Sequence, residues 1–111
     1  MKVVLDACVP QPLRHAIAGH EIFTAGFLGL STLDDTDLLD AIEGHFDVLV
    51  TCDRGIPWQN RFAGRGISLI VLRARTNKLP DLLPLVPALL VALSEAKPGE
   101  VREITDGNVR S

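Results

Sequence analysis

The chain has no tyrosine, one tryptophan, one methionine and two cysteines, and aromatic residues make up only 5% of it. With so few rings, the packing has to come from aliphatic side chains. Two isolated cysteines cannot staple a disulfide-dependent mini-protein. Cys8 and Cys52 also lack the close-spaced pairing of a zinc site, and both sit in apolar, strand-like contexts where a small thiol packs. No stretch reaches the roughly 18 apolar residues that span a bilayer. The richest segment, residues 79–93, is interrupted by Asp81 and three prolines. The apolar run at the N-terminus is stopped by Asp6, too early for the core of a signal peptide. These absences point to a soluble, cytoplasmic protein with no membrane partner. No glycine-rich phosphate loop follows a strand and no Ser-His-Asp or Cys-His arrangement emerges, which argues against NTPases, dinucleotide enzymes and covalent hydrolases. Internal repeats and low-complexity segments are missing too.

What remains is enough for a core. The 111 residues are 47% hydrophobic and 23% charged, with mean hydropathy +0.25, which fits one folded domain and excludes a disordered tail. The formal charge of -3 hides a segregation. Residues 1–53 hold two basic residues against nine acids, a net of -7; residues 54–78 hold six basic residues and no acid; residues 79–111 are again slightly acidic at -2. Such asymmetry points to polyanion or metal handling when it is not simply a solvated face.

Short apolar runs alternate with helical patterns along the chain. Lys2–Leu5, Glu21–Thr24, residues 47–51 and residues 67–72 read as strands, the third uninterrupted and apolar as a central parallel strand would be. A helix is expected after the first strand, with Pro10 or Pro12 in its first turn and Leu13, Ala16 and Ile17 as its buried stripe. A second should run to about Glu43, capped by Thr32 or Asp34, with Leu38, Leu39 and Ile42 inward. Residues 26–31 between them read as a loop. A proline-broken helical region ends near Ala96, its regular part starting near Pro84 or Pro87. Residues 100–105 and 108–110 form a small hairpin around Asp106-Gly107. The alternation predicts an α/β fold, a mostly parallel sheet covered on both faces.

In such a sheet, ligands bind beyond the carboxyl ends of the strands. Asp6 closes the first strand and Asp53 follows the third, so neighbouring strands would bring both carboxylates to one edge; each could instead merely begin a turn. Asp35 shares a helix side with Leu38 and Leu39 while occupying the first turn, at the end facing that edge; as N3 after a Thr32 cap it could equally complete a capping box, and Asp34 could be the cap. Three converging carboxylates repel unless a hard divalent cation, Mg2+ or Mn2+, sits among them. Such an ion polarises phosphoryl oxygens and generates hydroxide near neutral pH. Arg54, Arg61 and Arg65 follow at once, and guanidinium groups match phosphates, so the pattern suits a phosphodiester such as RNA. Trp58 in that stretch packs under the loop or stacks on a base. A phosphorylatable Asp53 is the weakest reading, because no suitable Lys follows at a strand end.

The residues Val3-Val4-Leu5-Asp6-Ala7-Cys8-Val9-Pro10, Ala18-Gly19-His20-Glu21-Ile22, Asp35 before Leu38-Leu39, Val48-Leu49-Val50-Thr51-Cys52-Asp53 and Leu72-Arg73 resemble the compact bacterial PIN-like proteins of the DUF5615 (Mut7-C-like) family. The resemblance covers essentially the whole chain. It implies a Rossmann-like PIN fold and a Mg2+- or Mn2+-dependent endoribonuclease acting as the toxin of a toxin–antitoxin pair. Asp6, Asp35 and Asp53 would then be the metal-binding catalytic acids, with Thr51 orienting a carboxylate or water and Arg54, Arg61 and Arg65 binding RNA. A small antitoxin protein is the implied partner; a homodimer is expected from the family and from the apolar surface of residues 82–93. His20 would bond locally to support its turn. Two positions depart from the family pattern: Cys8 stands where Asn is usual, and Asp53-Arg54-Gly55-Ile56 lacks the second acid of an Asp-x-Asp-Phe element. Cys8 reads as packing. With the fourth acid missing, one metal site is expected, and the alternative is a non-catalytic PIN-like module that binds a partner protein or RNA.

Overall fold

A computed structural model describes residues 1–53, 62, 64–105 and 108–110. Its strands are β1 (Lys2–Leu5), β2 (Glu21–Thr24), β3 (Val48–Thr51), β4 (Ser68–Arg73), β5 (Val101–Thr105) and β6 (Asn108–Arg110). They form one sheet in the order β2-β1-β3-β4-β5-β6. The first five are mutually parallel and β6 pairs antiparallel with β5, so the expected terminal hairpin is also the sheet's edge. Its Asp106-Gly107 turn lies outside the described residues.

The apolar runs of β1, β3 and β4 are continuous because both faces of the sheet are covered. The pleat divides them. Val3, Leu5, Val48, Val50, Ile70, Leu72 and Ile104 point to one face, under the segment after β1 and the C-terminal helices. Val4, Leu49, Leu69 and Val71 point to the other, where Leu38, Leu39 and Ile42 of α1 (Asp35–Ile42) meet them together with Phe62. The chain leaves β1 toward β2 on one side and returns past it to β3 on the other. The gap between β1 and β3 is therefore the topological switch point.

Helix α1 starts two residues later than a Thr32 cap would require. Asp34 is the cap, its Oδ1 accepting the Asp37 N–H at 2.8 Å. Asp35 is thus the first helical residue, which removes the capping-box role open to it. Asp37 and Asp40 are exposed, as their phase on the helix required. Gly44, at φ +86°, turns the chain out of the helix.

The helix expected after β1 is instead a 3-10 segment, Gln11–Ala16. Leu13 and Ile17 still reach the core from this tighter segment. Proline likewise divides the C-terminal region. Pro80, Pro84 and Pro87 each occupy the first turn of a separate piece: α2 (Leu79–Leu82), a 3-10 turn (Leu83–Leu85) and α3 (Val86–Glu95). Leu82, Leu85, Leu89 and Leu93 are buried against the sheet, and Leu83 and Val91 are exposed. Among the described residues, no helix is long and apolar enough to cross a membrane.

Replacing Asp34 by Ala should lower stability by about 1 kcal/mol in urea titration, as loss of a helix cap does, whereas Thr32→Ala should leave it unchanged.

Candidate functional site

Asp6 emerges from the end of β1 in phase with Val4, on the face covered by α1. Its N–H still donates to Val50 O at 2.9 Å, so the residue is held to β3 as the ladder ends. One carboxylate oxygen, Oδ1, accepts the Ala7 N–H at 2.8 Å, and the other, Oδ2, accepts the Thr51 hydroxyl at 2.8 Å. Thr51 closes β3 on the same face and is fully buried. Its Oγ1 also accepts the Asp53 N–H at 3.2 Å. One buried hydroxyl therefore joins the end of β1 to the chain leaving β3. Its single hydrogen goes to Asp6 and its lone pairs face Asp53 and Cys8, which leaves no polar capacity unused.

Cys8 does more than pack. Its Sγ lies 3.3 Å from Thr51 Oγ1 and 3.8 Å from Asp6 Oδ2, and it accepts the Cys52 N–H at 3.2 Å. The hydrogen bond from the Cys52 side chain is the largest influence on this thiol and lowers its pKa. Thr51 and the Cys52 N–H act in the same direction; burial and the Asp6 carboxylate oppose them. The thiol is lowered from 9.0 to about 7. Asn, the usual occupant in the resembling family, is itself a hydrogen-bonding residue, and that was the signal in the sequence that this position is polar.

Beside Asp6 and Cys8 a cleft of about 470 Å³ opens, walled opposite by Thr24, Phe27 and Ser31. The turn after β2 that forms this wall carried no chemistry in the sequence reading. Its signal was an aromatic residue next to Gly26 in a chain nearly devoid of rings.

The remaining candidates divide. Asp53 is half-buried just past β3, and Asp35 is half-buried at the start of α1, at the carboxyl edge of the sheet. Among the described residues, no three His, Cys, Asp or Glu side chains stand together as a metal-holding group. Arg65 is elsewhere. It precedes β4 and therefore lies at the amino edge of the sheet, opposite Asp6. There it pairs with Glu43 at 2.8 Å and Asp40 at 3.1 Å, beyond the end of α1 and on its last turn. The Gly66 N–H, donated to Glu43 at 2.8 Å, and then the Arg65 guanidinium hold the Glu43 carboxyl below its ordinary pKa. Arg65 thus fastens the β3–β4 connection to α1, at the edge opposite Asp6. Arg54, Arg61, Gly55 and Trp58 lie outside the described residues. His20 Nδ1 is buried with no hydrogen-bond partner among the described residues.

Two outcomes follow from the Thr51 and Cys8 geometry. Thr51→Val, which keeps the shape and removes the hydroxyl, should destabilise the fold by about 2 kcal/mol in urea titration, because the Asp6 carboxylate and the Asp53 N–H each lose a partner. Thr51→Ser should cost under about 1 kcal/mol, the loss of one methyl. Alkylation of Cys8 by iodoacetamide, followed by mass spectrometry, should rise with pH around a midpoint of about 7 rather than 9.0. Cys52, 3% exposed, should react only on unfolding. Because the folded thiol ionises more readily than the unfolded one, its contribution to stability is fully present above pH 9.0 and is lost as pH falls through about 7. No protein-family model, no curated protein and no solved structure matches this chain.

Proposed function

We propose that the edge formed by Asp6, Thr51 and Asp53 is the hydrolytic centre of a metal-dependent endoribonuclease, with Asp35 as its third acid. The observation that carries this reading is the Thr51 hydroxyl. It donates to the Asp6 carboxylate and accepts the Asp53 N–H, tying two acids from neighbouring strands to the switch point of a parallel sheet. The donor set is all carboxylate oxygen, which suits a hard cation and not a thiophilic one. Asp6 and Asp53 would hold Mg2+ or Mn2+, with Asp35 approaching from the start of α1. When bound, the ion polarises a phosphoryl oxygen and lowers the pKa of a coordinated water. The chain's own contribution is orientation. Thr51 and the Ala7 N–H fix the Asp6 carboxylate from two sides. The family resemblance extends the proposal to a toxin working with a small antitoxin protein, and Arg54 and Arg61 remain its proposed RNA contacts.

A second reading, a binding module without catalysis, is favoured by Gly55 at the position of the fourth acid. The two separate in one assay. Purified protein should cleave single-stranded or transfer RNA with Mn2+ or Mg2+ and stop on chelation. Asp6→Asn should reduce the rate on the order of 100-fold with the circular dichroism spectrum unchanged. Absence of metal-dependent cleavage, or an Asp6→Asn variant as active as wild type, would overturn the nuclease. Metal-independent RNA affinity unaffected by Asp53→Asn would then establish the binding module.

A further inference from the structure

The turn after β2 carries the one exposed phenylalanine ring among the described residues. Phe27 is 78% exposed. Phe62 is fully buried, and Phe23 and Phe46 pack edge to face with centroids 5.3 Å apart. Phe27 is not on a slack loop. Its N–H donates to Thr24 Oγ1 at 3.0 Å, Leu28 N–H to Thr24 O at 3.1 Å, and Leu30 N–H to Ala25 O at 2.8 Å. Ala25, fully buried, is fastened to β1 through its N–H to Leu5 O at 2.9 Å. The ring is therefore carried on the end of β2, which is tied to the end of β1 that carries Asp6.

Two cavities meet at it. The 470 Å³ cleft runs from Phe27 to Asp6, and a second of about 190 Å³ runs from Phe27 to Gln11 and Arg14. Arg14 is exposed and makes no ion pair among the described residues. Together the two cavities bring the Arg14 guanidinium, the Gln11 amide, the Phe27 ring, the Thr24 hydroxyl and the Asp6 carboxylate into one neighbourhood. One exposed ring flanked by polar groups is not the broad apolar patch of a protein interface. A cation beside an exposed ring instead suits a nucleotide chain, whose phosphates meet the cation and whose bases stack on the ring whatever their sequence.

We propose that Phe27 is a stacking platform for a base of a single-stranded nucleic acid, whose backbone passes Arg14 and enters the cleft toward Asp6. The placement rests on the ribonuclease reading for what happens at Asp6, but base stacking is testable without cleavage. It makes Phe27 a positioning residue and leads the strand over β2.

The test uses fluorescence anisotropy in EDTA at low salt, with a labelled single-stranded RNA octamer and an abasic oligomer of equal length. Phe27→Ala should weaken RNA binding about tenfold and leave the abasic oligomer unaffected, and Phe27→Trp should restore the loss. Arg14→Gln should weaken both probes and reduce the slope of affinity against salt by about one. Wild-type binding to neither probe, an unchanged Phe27→Ala, or an equal loss on both probes would overturn the platform. Metal-dependent cleavage by a protein whose binding ignores Phe27 would sink the platform and leave the nuclease standing. Phe27-dependent binding without cleavage would do the reverse.

Discussion

Everything at the candidate site depends on β1 and β3 lying side by side, parallel and in register, with Leu5 opposite Val50. Both are four-residue runs whose apolar side chains are taken up by cores on opposite faces. A slip of one residue would reverse every side chain in either strand. That would turn Thr51 from the α1 side to the other and separate it from Asp6. The hydrophobic pattern of the strands thereby sets the geometry of polar atoms that lie just past their ends.

Thr51 converts that alignment into a connected network. It is one of two buried polar side chains in the described part of the protein, and its oxygen meets Asp6, Cys8 and the Asp53 N–H at once. With one hydrogen to give, it cannot donate to Asp6 and to an ionised Cys8 together. The protonation of Cys8 and the hydrogen bond that orients Asp6 are coupled through a single hydroxyl.

The segregated charge has a partly structural explanation. Arg65, in the basic stretch, neutralises Asp40 and Glu43 from the acidic one, and Arg73 pairs with Glu103 at 2.8 Å across β4 and β5. These pairs are solvent-facing and contribute little energy. They nevertheless show that blocks of opposite charge far apart in sequence meet when α1 folds back over the sheet. Arg14, from the acidic first half, lines the smaller cavity beside Phe27.

The strands, the helix through Leu38, Leu39 and Ile42, and the two-sided covering of the sheet could be read from sequence, because burial on both faces leaves an uninterrupted apolar run and burial on one side leaves a helical stripe. Asp6 and Asp53 could be placed at one edge for the same reason: strand ends are local, and parallel neighbours end together. The 3-10 form of Gln11–Ala16 was hidden, since periodicity places Leu13 and Ile17 inward in either helix and only length and capping distinguish the two. Asp34 and Thr32 are both good caps, and the choice followed from where α1 docks. The partners of Arg65 and Cys8 and the exposure of Phe27 were decided by the tertiary structure. A guanidinium, a thiol or a ring carries no sign in sequence of which carboxylate, hydroxyl or cleft the fold will bring to it, because those partners come from strands and turns joined only through the sheet.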